Sequence, residues 1–220
     1  MPARHTRAAG VAATVAALAA TAGDLLLLWV ANAARPELRG LPPPPPGSLV
    51  AGYYLGVLAI PLYGLGYWQV AEDITPGGRR AARAVFFLGL AGGVVGGVVH
   101  GVTGLVIHAD RLLGAGDDPL AVVGRYGAFL LPLWGLLGVL VVGGSILYAR
   151  AVLGGSTRYS RWMAALNPAL LVAVLGALAT ASPRLEAFLL PAAPNVAHVL
   201  FFAATTLVPG ADRGAPPIPA

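Results

Sequence analysis

Six long apolar segments, separated by short polar or proline-rich loops, make up most of this 220-residue chain. An α-helix needs roughly 20 mostly apolar residues to cross the hydrocarbon core of a bilayer, and each segment approaches or exceeds this length. The sequence therefore predicts an all-α fold, a polytopic transmembrane helical bundle formed by a single domain over residues 1–220, with a short flexible tail at 209–220. The predicted membrane-spanning helices cover residues 10–33, 48–71, 84–107, 127–149, 162–181 and 187–208.

Composition and loop chemistry support this class. Hydrophobic residues make up 57% of the chain and charged residues only 10%, whereas soluble domains carry about 25% charged residues. The first loop contains five consecutive prolines at 42–46, which cannot be helical. The N-terminus imitates a cleavable signal peptide, but its apolar run continues past Ala22 to Val30. This length favours an uncleaved first helix.

Arginine placement predicts the orientation, because cytoplasmic loops of membrane proteins are enriched in basic residues. All 14 basic residues are arginines, a usage typical of GC-rich bacterial genomes. With the N-terminus inside, nine arginines and three acids lie on the cytoplasmic side, and five arginines and five acids lie outside. We therefore expect both termini in the cytoplasm and a multi-pass protein of the bacterial cytoplasmic membrane, with membrane lipids as partners. The basic net charge reflects this asymmetry rather than binding to nucleic acid.

Missing residue types and motifs exclude several chemistries. The chain has neither Cys nor Lys, which excludes thiolate catalysis, Cys-ligated metals and Schiff bases. It contains no phosphate-binding glycine loop and no nucleophile elbow. Two intramembrane histidines and a carboxylate are suitable metal or haem ligands. They lie on different predicted helices, however, and the counted depths of the histidines differ, so we predict neither a metal nor another cofactor.

Two ionisable residues inside predicted spans are the strongest candidates for function. Asp24 lies near the middle of the first span, where a carboxylate costs about 2.5–3.5 kcal/mol on insertion scales. Small residues share its helical face, so another helix can approach it closely. His100 lies at a comparable depth on the third span. We predict that Asp24 and His100 form a proton-exchanging, catalytic pair.

Polar residues on two other spans fall at similar depths. Asn195 and His198 lie on one face of the sixth span, and Tyr53 and Tyr54 lie just above this level on the second. We predict that these four residues bind a ligand in a polar pocket opening toward the outer leaflet. Because isolated polar residues in membrane helices often serve only packing, this convergence is an expectation from depth alone.

Three functions remain open for such a pocket. The leading hypothesis is a site for a small or lipid-like molecule, on which acid–base chemistry acts, for example on an isoprenoid. The second is a proton-coupled transporter or permease that uses the same relay. The third is a non-catalytic membrane scaffold whose polar groups only fix packing. The sequence does not choose among them, and it gives no oligomeric state.

The third span carries glycines at four-residue spacing, at positions 89, 93, 97 and 101. Small residues at this period let helix backbones approach closely. We therefore expect this helix to be the central packing element of the bundle.

Several short strings together resemble an uncharacterised family of bacterial integral membrane proteins of about this length. They are Gly23-Asp24, Pro61 to Trp68, His100-Gly101, Arg161 to Pro168, and Asn195 to His198 followed by Phe201-Phe202. The resemblance covers nearly the whole chain. It implies a six-helix membrane protein and no established activity.

The predicted orientation is testable with topology reporters. Reporters fused after residues 40, 115 and 184 should read as non-cytoplasmic, and those after 78, 156 and 215 as cytoplasmic, because arginine-rich loops are retained inside. A cytoplasmic reading after residue 115 would contradict the six-span prediction, since one of the first three helices would then not cross.

Overall fold

A computed structural model describes residues 2–31, 44–112 and 119–207, and this part of the chain is helical with no β-strand. The predicted tail at 209–220 and most of the proline-rich loop lie outside the described residues. The α-helices are α1 (Pro2–Ala31), α2 (Ser48–Ala59), α3 (Tyr63–Ile74), α4 (Arg79–Leu112), α5 (Pro119–Leu153), α6 (Pro168–Ala179) and α7 (Pro183–Leu207).

Five helical segments are long and apolar enough to cross a membrane, and they match five of the six predicted spans. The second of them is α2 followed by α3, joined by a 3₁₀ turn at Ile60–Leu62. Pro61 causes this break, because it has no N–H to donate and its ring disturbs the preceding turn. The helical course nevertheless continues over Ser48–Gly77.

The predicted span at 162–181 has a different structure. It consists of a 3₁₀ turn at Arg161–Leu166, the extended residue Asn167, and the 12-residue helix α6. Asn167 caps α6 by accepting a hydrogen bond from the Leu170 amide, 3.0 Å away, and the following Pro168 keeps Asn167 out of the helix. At 1.5 Å per residue, α6 is about 18 Å long, shorter than the roughly 30 Å hydrocarbon core.

The helices form a ring around a central cavity. α1 packs against α2, α3 and α7, and α4 packs against α2, α3 and α5. α6 packs mainly against α7 and approaches α5 near its own start, where the Ala169 amide donates to the Ser145 hydroxyl over 3.1 Å.

A polar cluster marks one end of the bundle, which we call the Arg158 end. The Asp73 carboxylate there accepts hydrogen bonds from the Arg158 guanidinium at 3.1 Å, the Tyr159 hydroxyl at 3.0 Å and the Gln69 amide at 3.2 Å. Burial, and then the nearby Asp73 carboxylate, raise the pKa of Tyr159 well above its ordinary value, so its hydroxyl remains a donor. The Gln69 side chain also bonds to Thr205 and Thr206, fastening α3 to the end of α7.

The opposite end, which we call the Asp110 end, is marked by an ion pair between α4 and α5. The buried Asp110 carboxylate lies 2.6 Å from the Arg125 guanidinium. Most described arginines lie near the Arg158 end, as their grouping in the sequence predicted; beyond Arg158 itself they are Arg7, Arg79, Arg80, Arg83, Arg150 and Arg161.

The glycines of α4 bring it against the second crossing. A Cβ atom at Gly93 would lie 3.1 Å from the Ile60 carbonyl oxygen, and one at Gly97 would lie 3.2 Å from the Pro61 ring. Gly89 lies directly under the Tyr67 ring. Close approach of α4 to α2 and α3 therefore requires these positions to lack side chains.

Replacing Gly93 or Gly97 with Leu should destabilise the bundle by about 1–3 kcal/mol or more, because an added side chain overpacks this contact. Gly135 on α5 is the matched control, since no described atom lies within 4 Å of a Cβ built there. Thermal unfolding in detergent should show a lowered midpoint for the first two variants and little change for Gly135→Leu. Equal midpoints for all three would contradict the packing role of α4.

Candidate functional site

Asp24 lies where α1 approaches its neighbours most closely. Ala13, Ala17 and Ala20, on or beside its helical face, are completely buried. Gly23 crosses Gly52 of α2 so tightly that a Cβ at Gly23 would lie 2.9 Å from the Gly52 carbonyl oxygen. The small residues therefore place the Asp24 carboxylate within reach of α2, α4 and α7.

The Asp24 carboxylate joins three helices by two short hydrogen bonds. Its Oδ1 lies 3.0 Å from Nδ1 of His100 on α4. Its Oδ2 accepts a hydrogen bond of 2.6 Å from Nδ2 of Asn195 on α7. Both oxygens are thus held by protein groups, which offsets the cost of placing a carboxylate in an apolar bundle.

The second ring nitrogen of His100, Nε2, determines how many protons the Asp24–His100 pair holds. Nε2 lies 2.9 Å from the Gly52 carbonyl oxygen, which only accepts hydrogen bonds, so Nε2 carries a proton. The ring fits there because Gly56 lacks a side chain; a Cβ at Gly56 would overlap the imidazole. The Asp24–His100 contact must therefore hold one further proton, since two lone pairs would otherwise face each other.

That single proton has two positions. It lies either on Nδ1, giving an imidazolium beside a carboxylate, or on Oδ1, giving a neutral imidazole beside a carboxylic acid. The pair carries no net charge in either case. Such a pair can donate a proton to a bound molecule or accept one from it, and this is the chemistry required of a general acid or base.

Two tyrosines on α3 extend the network. The Tyr63 hydroxyl donates to Oδ1 of Asn195 over 2.7 Å, so the hydrogen bonds run from Tyr63 through Asn195 to Asp24. The Tyr67 hydroxyl lies 2.9 Å from Nε2 of His198. Nδ1 of His198 lies 2.7 Å from the Pro194 carbonyl oxygen and must donate to it, so Nε2 accepts from Tyr67 and this histidine is satisfied as the neutral form.

An aromatic layer lies between this network and the Arg158 end. Phe201 and Phe202 are completely buried, and their rings contact Tyr67 at centroid distances of 5.9 and 5.4 Å. Tyr148 of α5 packs edge-on against Phe201 at 5.1 Å. These rings separate the Asp24 network from the polar cluster around Asp73.

A cavity of about 360 Å³ lies inside the ring of helices. Asp24, His100, Asn195 and the two α3 tyrosines line one wall, together with His198. Apart from Thr103, the rest of the lining is apolar and comes mainly from α4, α5 and α6. A polar, proton-holding wall thus faces an apolar chamber.

Thr103 lines the same cavity one helical turn from His100. Its hydroxyl oxygen is buried and has no hydrogen-bond partner among the described residues. A buried hydroxyl without a partner costs free energy, so this group is available to a bound molecule.

The network unites three of the residues singled out from the sequence, Asp24, His100 and Asn195, and His198 lies on the same cavity wall. Tyr53 and Tyr54 lie elsewhere. Tyr53 packs over Gly101 and Gly104 of α4, and Tyr54 is exposed; neither lines the cavity. Their role as ligand contacts stays a prediction.

The sequence analysis did not include Tyr63 and Tyr67 among the candidate site residues, although both line the cavity. The usable signal was their position on one helical face with Gly56 and Ile60. Within the described residues, no group of three His, Cys, Asp or Glu side chains is close enough to hold a metal ion.

The long apolar helices, with a hydrogen-bonded carboxylate and histidine among them, define a helical membrane protein with a buried polar site. The sequence profile of the family of unknown function DUF6796 matches residues 3–209, nearly the whole chain, and the protein belongs to that family. Searches of curated proteins and of solved structures give no match.

Substitutions at Asp24 should separate hydrogen bonding from charge. Asn can donate to Nδ1 of His100 and accept from Asn195, so Asp24→Asn reproduces the protonated carboxyl and should keep stability close to that of the parent. Asp24→Leu leaves the His100 and Asn195 groups unpaired and should cost about 1–3 kcal/mol for each. Thermal unfolding in detergent measures both; equal stability of the Leu and Asn variants would refute the network.

Proposed function

We propose that this protein binds a lipid-like molecule within the membrane and exchanges a proton with it through the Asp24–His100 pair. The observation that carries the proposal is the position of this pair on the wall of an otherwise apolar cavity. The proposed contacts are Asn195, His198 and the two α3 tyrosines; Tyr53 and Tyr54 do not line the cavity and are not part of this proposal.

The shape of the cavity supports a ligand with a long apolar part. Its lining on α4 extends from Leu88 to Ile107, which corresponds to about 28 Å along a helix axis. His100 lies between these limits. A headgroup beside His100 would therefore leave room for a hydrocarbon chain reaching toward Leu88.

The hydrogen-bond network supports proton exchange. Because Asn195 holds Oδ2 of Asp24 and Gly52 holds Nε2 of His100, the shared proton can move between Oδ1 and Nδ1 without rotation of either side chain. Preorganisation of this kind lowers the barrier to acid–base chemistry.

The aromatic layer favours a closed binding site over a transport path. A permease needs a route from the central site to both ends of the bundle, and Phe201, Phe202 and Tyr148 fill the space toward the Arg158 end. The cavity itself argues against a pure scaffold, since packing alone is best served by a filled core.

The proposed setting is a bacterial cytoplasmic membrane crossed six times, with both termini inside. Residues 154–182 support the sixth crossing. α5 and α7 both end near the Arg158 end, so the segment with α6 must carry the chain back toward the opposite end. The arginine-rich Arg158 end would then face the cytoplasm.

The proposal can be tested in cells with one substitution that fills the cavity and one that removes the exchangeable proton. In a strain lacking the gene, whole-cell lipid extracts analysed by mass spectrometry should differ from the parent, and the intact gene should restore the parental profile. Asp24→Asn, which is expected to fold, should not restore it, because the amide cannot exchange a proton. Gly92→Leu should also fail, because Gly92 lines the cavity and the added side chain would fill it. This variant is expected to fold, since a Cβ built at Gly92 meets nothing closer than Leu140 at 3.9 Å.

Gly135→Leu is the matched control and should restore the profile, since Gly135 does not line the cavity. Each variant must be shown to accumulate in membranes at the level of the parent. Full restoration by both Asp24→Asn and Gly92→Leu at that level would overturn the proposal.

A further inference from the structure

The cavity has a mouth in the side of the bundle. Trp134 and Val142 of α5 line the cavity but are 41% and 48% exposed. Gly138, between them, and Pro191 of α7 also both line the cavity and lie on the surface. A residue that meets both conditions lies at an opening, so the cavity opens between α5 and α7.

This mouth faces the bilayer interior. Trp134, Gly138 and Val142 follow one another at four-residue spacing on α5, a stripe about 12 Å long. They lie inside the apolar segment Arg125–Leu153, which is long enough to cross a membrane. A hydrocarbon chain can therefore enter sideways from lipid without passing through water.

The charge of the cavity restricts what can enter. Among the described residues that line it there is no Arg, and the chain contains no Lys. The Asp24–His100 pair as a whole is neutral, so an anionic headgroup would find no net positive charge to pair with in this low-dielectric site. A cationic headgroup would also lack a partner, because the proton shared with His100 already neutralises Asp24.

Hydrogen-bond capacity points to a headgroup that both donates and accepts. The Asp24 oxygens and the Tyr63 and Tyr67 hydroxyl oxygens retain lone pairs after their present bonds are counted. The Asn195 amide has a second N–H, and the Thr103 hydroxyl has no partner among the described residues. An alcohol satisfies both kinds of group with no net charge.

We propose that the occupant is an uncharged long-chain alcohol, which enters from the bilayer between α5 and α7 and places its hydroxyl between Thr103 and Asp24. This inference rests on the proposed function and names its substrate class. The hydroxyl lies within reach of the Asp24–His100 proton, and the hydrocarbon chain lies along the apolar wall of α4 and α5.

Photolabelling of the purified, vesicle-reconstituted protein tests the class. The probes are three molecules with the same 16-carbon chain and the same diazirine, ending in a hydroxyl, a carboxylate or a primary amine. The alcohol should label residues of the cavity wall, mapped by peptide mass spectrometry, at least about fivefold more than either charged probe. Unlabelled hexadecanol should compete.

Two glycines on α5 test the route. Gly138 and Gly135 both have open space around a built Cβ, but only Gly138 lines the cavity. Gly138→Phe should block the mouth and reduce cavity labelling by the alcohol about fivefold or more. Gly135→Phe should leave labelling unchanged. Equal labelling of the two variants would overturn the lateral route.

Thr103 tests the position of the headgroup. Thr103→Val removes the hydroxyl with little change of shape, so it should preserve thermal stability and raise the alcohol concentration needed for half-maximal labelling about threefold to tenfold. Thr103→Ser should restore the parental value. No shift in Thr103→Val would overturn the placement of the hydroxyl.

The outcomes also separate this inference from the proposed function. Cavity labelling by the carboxylate or amine probe equal to that by the alcohol would overturn the alcohol class and leave a lipid-binding cavity standing. Failure of all three probes to label the cavity wall would overturn both proposals.

Discussion

One proton shared between Asp24 and His100 accounts for much of how this bundle is arranged. Since Gly52 accepts from Nε2 of His100, the 3.0 Å contact with Asp24 must contain a hydrogen. A carboxylate can then lie among apolar helices as part of a neutral pair. Gly23, Gly52 and Gly56 supply the close approach that this contact requires, so helix packing and site chemistry depend on the same small residues.

The same hydrogen-bond network accounts for the polar side of the cavity. Asn195 and Tyr63 continue the hydrogen bonds from Asp24 across α7 to α3, concentrating polar groups on one side. Apart from Thr103, the remaining lining is apolar, and it reaches the surface at Gly138. The polar patch, the long apolar lining and the lateral mouth are the features on which the proposed binding of an amphiphile rests. The aromatic layer at Phe201 and Phe202 lies between the cavity and the Arg158 end.

The sequence predicted the helical membrane class and most of the crossings because long apolar runs have few other structures available. It also placed Asp24, His100 and Asn195 at similar depths, and these three side chains are hydrogen-bonded in the structure. It did not predict that α6 would be short, because hydropathy averages over Asn167 and Pro168 and conceals the break. The hydrogen bond of Tyr63 to Asn195 and the buried hydroxyl of Thr103 depend on which groups lie beside them in the folded bundle, and hydrophobic periodicity carries no information about that.

The central claim is that Nε2 of His100 always carries a proton and that Nδ1 shares another with Asp24. Nitrogen-15 NMR of histidine-labelled protein in lipid, with the His100 signals assigned by their loss in His100→Gln, measures this most directly. We expect Nε2 to show the shift of a protonated nitrogen throughout the neutral pH range, and Nδ1 to show a strongly hydrogen-bonded shift that changes in Asp24→Asn. An unprotonated Nε2, or a ring that titrates like a free histidine, would contradict the account.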